Sequence, residues 1–142
     1  MNDGPLVSIL MNCYNGERYL EYSIQSVFNQ TYTNWEWLIT DDCSTDGTFE
    51  LLESFANFEP RIKIHKNQTN SGAAISRNNS INSARGDFIA FIDSDDLWHC
   101  EKLEKQIENL DKSQKSIDAD LSDPEKFKEL SQKEGFFEEY EK

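Results

Sequence analysis

Short apolar runs alternate four times with amphipathic stretches along this sequence, and this pattern limits the folds that it can adopt. Each apolar run is bounded by polar or glycine residues, which is typical of a strand in a sheet. The four runs are Val7 to Cys13, Glu36 to Thr40, Ile62 to His65 and Phe88 to Ile92. Repeats of strand and helix at this spacing predict an α/β fold with a doubly wound, mostly parallel sheet.

The stretches between the runs predict helices, because their apolar residues recur at helical spacing. Thr45-Asp46-Gly47 offers turn and N-cap chemistry ahead of the second helix. A Ser-Gly turn precedes the third helix, Ala73 to Ala84. The apolar sets expected to face the core are Leu20, Ile24, Val27 and Phe28; Phe49, Leu52 and Phe55; and Ala74, Ile75 and Ile81.

Length and charge limit the classes of function. The 142 residues suffice for one domain, and the net charge is −13. A surface so acidic repels nucleic acid and anionic lipid, so we expect neither as a partner. A phosphorylated small molecule is still allowed, because a bound cation inverts the local charge. No apolar run approaches the roughly 20 residues of a membrane span, and three cysteines without a CxxC pair indicate reduced thiols in a cytoplasmic protein.

The composition changes near residue 110. We therefore expect a ligand-binding domain over residues 1–110 and an acidic helical tail over residues 111–142. Pro124 and Gly135 divide the tail into two predicted amphipathic helices. Its apolar residues are too few for a core of their own and too many to leave in water, which favours a homodimer. These residues are Ile117, Leu121, Phe127, Leu130, Phe136, Phe137 and Tyr140.

Polar clusters follow all four predicted strands. In an open parallel sheet, ligands bind beyond the carboxyl ends of the strands, so the clusters should meet at one edge. The four clusters are Asn12-Cys13-Tyr14-Asn15-Gly16, Asp41-Asp42-Cys43-Ser44, Asn70-Ser71-Gly72 and Asp93-Ser94-Asp95-Asp96.

The fourth cluster carries three carboxylates within four residues. They would repel each other strongly unless a cation lies among them. Hard oxygen ligands of this kind suit Mg²⁺ or Mn²⁺ bridging a substrate diphosphate. The alternative is a solvated acidic turn that caps the next helix.

Other polar residues at this edge each have two interpretations. Asp41 and Asp42 could accept hydrogen bonds from a uracil or a ribose, or one of them could cap the following helix. Tyr14 could stack on a base or simply pack against the protein. Arg77 could reach a diphosphate with its planar guanidinium or pair with a surface carboxylate. His65 and His99 are too isolated to be ligands, and we interpret them as structural or surface residues.

Two long stretches together resemble the family 2 glycosyltransferases, which have the GT-A fold. Residues 7–48, VSILMNCYNGERYLEYSIQSVFNQTYTNWEWLITDDCSTDGT, are similar to the opening of that family. Residues 70–107, NSGAAISRNNSINSARGDFIAFIDSDDLWHCEKLEKQI, are similar to its half that carries the metal-binding DxD motif. The resemblance covers about residues 5–110 and implies inverting sugar transfer from a nucleotide-diphosphate sugar, often a UDP-sugar, with Mn²⁺ or Mg²⁺.

The resemblance also implies a role for each matching residue. Asn12, Cys13 and Tyr14 would line the base pocket, and Asp41 or Asp42 would contact the uracil. Gly72 and Arg77 match positions near the nucleotide. Asp93 would face the ribose and the sugar, and with Asp95 it would form the metal site, next to Asp96.

The sequence departs from the family after the DxD motif. Relatives continue into a half that binds the acceptor and supplies the general base, whereas the tail here has no strand pattern and does not resemble the family. We therefore expect a chain truncated before the acceptor half, with no identified catalytic base and an unknown sugar, lipid or protein acceptor. The alternative is a module that binds a nucleotide-sugar without catalysis. Cys100 also stands where relatives usually have proline.

Overall fold

The computed structural model describes residues 4–119, with side chains up to residue 110. Strands and helices alternate throughout, as predicted. In chain order the elements are β1 (Val7–Cys13), α1 (Glu17–Phe28), β2 (Trp35–Asp41), α2 (Thr48–Phe58), β3 (Ile62–Lys66), α3 (Ala73–Ser83), β4 (Phe88–Phe91) and α4 (Lys102–Ala119). The predicted strand boundaries agree with these to within one residue.

The four strands form a parallel sheet in the order β3-β2-β1-β4. The chain first builds outward from β1 through β2 to β3, then crosses back over both to place β4 on the other side of β1. Right-handed crossovers in these two directions put helices on opposite faces of the sheet. The predicted doubly wound sheet is confirmed, and its direction of winding reverses between β1 and β4.

The main core lies on one face of the sheet. Alternate residues of each strand point to this face, and α1, α2 and α4 pack against them. On α1 the buried apolar residues are Leu20, Ile24 and Val27, as predicted, and Phe28 is partly buried. On α2, Thr48 joins Leu52 and Phe55 in the buried set in place of the predicted Phe49. The strand residues of this core are Val7, Ile9, Met11, Cys13, Trp35, Trp37, Ile39, Ile62 and Ala90, and Ile92, directly after β4, joins them.

The opposite face is covered by α3, and the predicted apolar set of this helix is wrong. Ile75 and Ile81 are 54% and 37% exposed, and Ala74 is exposed as well. The buried residues are Ser76 and Ser80. The two serines are buried because they face polar groups on or next to the sheet. The Ser80 hydroxyl is 2.6 Å from that of Thr40, and Asn67 donates to Ser76 at 2.7 Å. These hydroxyls replace apolar contacts because the groups they face need hydrogen-bond partners.

A buried carboxylate ties the amino-terminal ends of the strands together. Glu36 on β2 is 4% exposed and accepts hydrogen bonds from the Ser8 hydroxyl and the Arg85 backbone, both at 2.7 Å. The Arg85 guanidinium also binds it, at 3.1 Å. Burial would raise the pKa of Glu36, but these hydrogen bonds outweigh it and hold that pKa below its ordinary value. This end of the sheet is thus fixed by its own contacts.

Helix α4 continues past residue 110, where the predicted tail begins, and runs to Ala119. The predicted tail residues from Leu121 to Tyr140 lie outside the described part of the chain. Within residues 4–119, no helix is both long and apolar enough to cross a bilayer.

Candidate functional site

The loops that follow β1 and β2 are joined into one platform at the carboxyl edge of the sheet. The backbone N–H of Asn15 donates to the Ser44 hydroxyl at 3.0 Å, and its side-chain oxygen accepts from the backbone of Thr45 at 2.8 Å. The backbone of Gly16 donates to the Thr48 hydroxyl at 2.9 Å. Asn15 adopts a left-handed backbone with φ of 49°, which asparagine tolerates better than most residues. Hydrogen bonds between residues 29 to 32 positions apart therefore set the shape of the platform.

Beside this platform, the loop after β4 brings three carboxylates together. Ligand oxygens of Asp93, Asp95 and Asp96 lie within 4.8 Å of one another. Partial burial raises the pKa of Asp93, and the charges of Asp96 and Asp95 raise it further, while nearby Arg77 opposes them. A divalent cation would relieve this repulsion, and the donor set consists of the hard oxygens that Mg²⁺ and Mn²⁺ prefer. The three residues therefore fit the metal that the sequence predicts.

Arg77 lies next to this acidic cluster. Its guanidinium carbon is 4.9 Å from the centre of the Phe91 ring, and Phe91 lies two residues before Asp93 in the chain. The residue lies in the second turn of α3, whose N-cap is Gly72 with a left-handed φ of 88°. Helix N-termini and guanidinium groups both favour phosphate oxygens. The structure thus brings Gly72, Arg77 and the acidic cluster to the same edge, as the sequence predicts.

Asn12 at the end of β1 also reaches this edge. Its side-chain nitrogen donates to the carbonyl of Ala73 at 3.2 Å, which joins β1 to the first turn of α3. Its side-chain oxygen is buried and has no partner among the described residues. An unpaired buried acceptor costs free energy, so a donor from a ligand would stabilise this arrangement.

The two aspartates after β2 already have partners in the protein. Asp41 is fully buried and accepts from the backbone and hydroxyl of Ser44. Asp42 accepts from the Asn67 amide at 2.9 Å and from the backbones of Ser71 at 2.7 Å and Gly72 at 2.9 Å. Burial would raise the pKa of Asp42, but these hydrogen bonds outweigh it and lower that pKa. Asp42 thereby fixes the loop that leads into α3.

The side chains of Cys13 and Tyr14 have opposite environments. Cys13 is 1% exposed within the main core, and burial raises the pKa of its thiol well above the ordinary value. Its carbonyl already accepts from the backbone of Asp42 at 2.8 Å, so the thiol of Cys13 is not available to a ligand and its carbonyl already has a partner. Tyr14 is 51% exposed, which leaves its ring free to stack on a base.

Sequence reasoning missed the residue that fastens the acidic loop to the rest of the domain. The Ser23 hydroxyl on α1 lies 2.9 Å from the Ser94 carbonyl and 2.6 Å from the Asp96 carbonyl. Ser23 is fully buried between Leu20 and Ile24 on the apolar face of its helix. A hydroxyl on such a face is costly unless it is paired. A serine at an apolar position of a predicted helix is the feature of the sequence that could have identified Ser23.

A separate cleft of about 600 Å³ opens over the α3 side of β2 and β3. Lys63, His65 and Arg85 contribute to its lining, but Arg85 is already paired with Glu36. None of the four polar clusters at the carboxyl edge lines this cleft. It therefore lacks the converging groups that the edge between β1 and β4 provides. His65 and His99 are both exposed, as predicted.

The fold and the site together define an open, doubly wound α/β domain whose ligand edge lies where the winding reverses. The sequence model described as Glycosyl transferase family 2 matches residues 8–135. The chain therefore belongs to that family, as its motifs predict. The match extends past residue 110, where the resemblance of the motifs ends.

Named relatives agree with this assignment. The chain is 45% identical over 104 residues to the putative teichuronic acid biosynthesis glycosyltransferase TuaG of Bacillus subtilis. It is 51% identical over 106 residues to UDP-Glc:alpha-D-GlcNAc-diphosphoundecaprenol beta-1,3-glucosyltransferase WfgD of Escherichia coli. These alignments cover 73% and 74% of this chain but 41% of each relative. The chain thus spans about two fifths of the length of these proteins.

Solved structures confirm the GT-A type of fold. TarS 1-349 of S. aureus in complex with UDP-GlcNAc superposes with a TM-score of 0.72 at 32% identity, over 76% of this chain and 32% of TarS. The mannosyltransferase PcManGT from Pyrobaculum calidifontis, solved with GDP-Man and Mn²⁺, gives 0.69 at 24% identity, over 73% of this chain and 32% of that one. The second likeness concerns the fold alone.

Proposed function

We propose that this chain binds the nucleotide-diphosphate part of a sugar donor, with a divalent cation, at the carboxyl edge of the sheet between β1 and β4. The observation that carries the proposal is the meeting of Asp93, Asp95 and Asp96 with Arg77 at the point where the winding reverses. A diphosphate is an anion and binds where positive charge balances its own. A cation held by the carboxylates would supply such charge on one side of the diphosphate, and Arg77 would supply it on the other.

Each part of the donor has a matching group on the chain. Tyr14 is exposed for stacking on the base, and the unpaired oxygen of Asn12 can accept from a base or a ribose hydroxyl. Asp93 would share the metal with Asp95 and face the ribose and sugar. Of the two aspartates that could contact a uracil, Asp41 is fully buried, and Asp42 is only 5% exposed and already accepts from Asn67 and from the backbone of the next loop, so Asp42 would shape this edge rather than bind the base.

A UDP-sugar is the proposed donor. WfgD carries UDP-Glc in its name, and TarS was solved with UDP and with UDP-GlcNAc. WfgD is 51% identical over 74% of this chain and TarS 32% identical over 76% of it, which supports the same class of donor here.

In the complete reaction, the acceptor hydroxyl would attack the anomeric carbon while the bond from that carbon to the diphosphate oxygen breaks. The diphosphate leaves with the electron pair, and a single displacement of this kind inverts the anomeric configuration. The metal, when bound, stabilises the charge on the departing diphosphate. Arg77 would neutralise the same charge and orient the leaving group.

The described residues of this edge do not supply a proton acceptor for that hydroxyl. Apart from the acidic cluster, the carboxylates of Asp41, Asp42 and Asp46 each accept a hydrogen bond from a backbone amide. The hydrogen bonds to Asp42 and Asp46 lower the pKa of each carboxyl, which makes these two groups poor proton acceptors. This observation favours, as a second candidate for the chain on its own, donor binding without transfer.

Calorimetry of UDP binding, with Mn²⁺ and with EDTA, tests the proposal. We expect binding with Mn²⁺ and much weaker binding with EDTA, because the carboxylates alone repel a diphosphate. Asp95→Ala should abolish the difference, whereas Glu53→Ala, which removes an exposed carboxylate on α2, should preserve it. Equal affinity with Mn²⁺ and with EDTA would refute the metal role, and no heat with any nucleotide would refute the site.

A further inference from the structure

The acidic loop has little internal structure to hold its shape. β4 has four residues and ends at Phe91, and α4 begins only at Lys102. Within the acidic turn, the backbone N–H of Asp96 donates to the Asp93 carbonyl at 3.0 Å. Carboxylates crowded on such a turn repel one another. Contacts from outside the loop must therefore hold the turn in the geometry that a metal needs.

Helix α1 supplies these contacts at the near end of the loop. The Ser23 hydroxyl has one hydrogen, which it shares between the Ser94 and Asp96 carbonyls. These carbonyls belong to the peptide groups on either side of the Asp95–Asp96 pair, so the bonds fix the backbone on both sides of it. The turn also lies close to Gly16, where an added Cβ would be 3.3 Å from the Ser94 hydroxyl oxygen.

The far end of the loop is held from the same side. Gln30, which follows α1 and is 5% exposed, donates to the His99 carbonyl at 2.7 Å and accepts from the backbone of Leu103 at 3.1 Å. Ser23 and Gln30 are seven residues apart, two turns of a helix. One side of α1 and its extension thus holds the segment from the acidic turn to the start of α4.

We propose that Ser23 is a positioning residue for the metal: its hydroxyl holds the Asp93–Asp96 turn in the shape that binds the cation, and it touches neither the nucleotide nor the metal. The inference rests on the proposed function, because it concerns the same site. Groups that orient metal ligands in this way usually change metal affinity by about 10-fold to 100-fold when they are removed. Metal affinity should therefore respond to Ser23 while base recognition does not.

Three variants of the whole chain separate this role from simple support of the fold. Ser23→Ala removes the hydroxyl. Ser23→Cys replaces it with a thiol of similar size, which is a weak hydrogen-bond donor. Ser26→Ala is the matched control, because the Ser26 hydroxyl donates to the Ser23 carbonyl within α1 and not to the loop. Mn²⁺ affinity is measured by titration at saturating UDP, and UDP affinity is measured separately in EDTA.

We expect Ser23→Ala and Ser23→Cys to weaken Mn²⁺ binding by about 10-fold or more, with unchanged UDP affinity in EDTA and no effect of Ser26→Ala. Circular dichroism identifies a variant that has not folded. If Ser23→Ala does not fold, Ser23→Cys alone tests the inference. If the folded Ser23 variants bind Mn²⁺ as the Ser26 variant does, the inference is wrong and the proposed function stands. If the unaltered chain shows no Mn²⁺-dependent UDP binding, the proposed function fails and the inference with it.

Discussion

Replacing Asp42 by asparagine distinguishes an anchor of the α3 loop from a contact to the nucleotide base. The substitution keeps the shape of the side chain but turns one carboxylate oxygen into an NH₂ group. In the structure one oxygen accepts from Asn67 and Ser71, and the other accepts from the backbone of Gly72. Asparagine can preserve the first pair of bonds, but its NH₂ group then faces the N–H of Gly72 as a second donor.

The size of the effect follows from these bonds. Losing one hydrogen bond to a buried charge costs about 1.5–3 kcal/mol, and the two that remain lose the strength that the charge gives them. We expect the free energy of unfolding to fall by about 3 kcal/mol. For a domain of about 110 residues, between the sizes for which each kcal/mol lowers Tm by about 4–8 °C and about 2–4 °C, about 4 °C per kcal/mol gives a fall in Tm of roughly 12 °C.

The effect should also depend on pH. The pKa of Asp42 is lower in the folded chain than in the unfolded chain, where it is about 3.9. Such a group stabilises the fold fully above the unfolded pKa, and the contribution is lost as pH falls through the folded pKa. The difference between the unaltered chain and Asp42→Asn should therefore be constant from about pH 5 to pH 8 and shrink below about pH 4.

Urea unfolding, followed by the fluorescence of the buried Trp35, Trp37 and Trp98, measures this difference. Glu53→Gln, at an exposed position on α2, is the control and should leave stability unchanged. If Asp42→Asn unfolds at the same urea concentration as the unaltered chain but no longer binds UDP, Asp42 acts on the nucleotide and our account of it as a loop anchor is wrong.

Two further predictions concern the chain as a whole. The purified 142-residue chain, given a UDP-sugar and Mn²⁺, should hydrolyse the donor slowly and transfer no sugar to an added acceptor, because the backbone-bound carboxylates at its edge are poor bases. Robust transfer would contradict this prediction. Asp118, Asp120 and Asp123 would then be the first residues to replace. Light scattering should give the mass of a homodimer. The apolar residues of the tail need to be buried from water, and two-fold pairing is the commonest way to bury such residues. The mass of a monomer at high protein concentration would contradict this.

The sequence predicted the fold well where burial decides it. β1 and β2 are central strands with nearly all residues buried, so their apolar runs stand out between polar loops. The face of α3 was predicted wrongly because periodicity counts apolar residues, and Ser76 and Ser80 are buried to satisfy polar partners instead. A pattern of apolar residues cannot reveal a hydrogen bond to a distant strand.

For the candidate site, the sequence predicted which segments of the chain meet at one edge of the sheet. Strand ends locate the four clusters, since parallel strands bring their carboxyl ends to one edge. What the sequence could not supply was which side chains the protein already uses: Asp42 holds a loop, Cys13 lies in the core, and Ser23 fastens the acidic turn. These facts depend on contacts between residues up to 73 positions apart.

A crystal structure of the chain with UDP and Mn²⁺ would show where the donor and the metal bind, because the anomalous signal of manganese locates the metal independently of the nucleotide. We expect manganese bound to oxygens of Asp93 and Asp95, with the diphosphate between it and Arg77 and the base near Tyr14. A nucleotide in the cleft lined by Lys63 and His65, or manganese away from the acidic turn, would contradict this expectation.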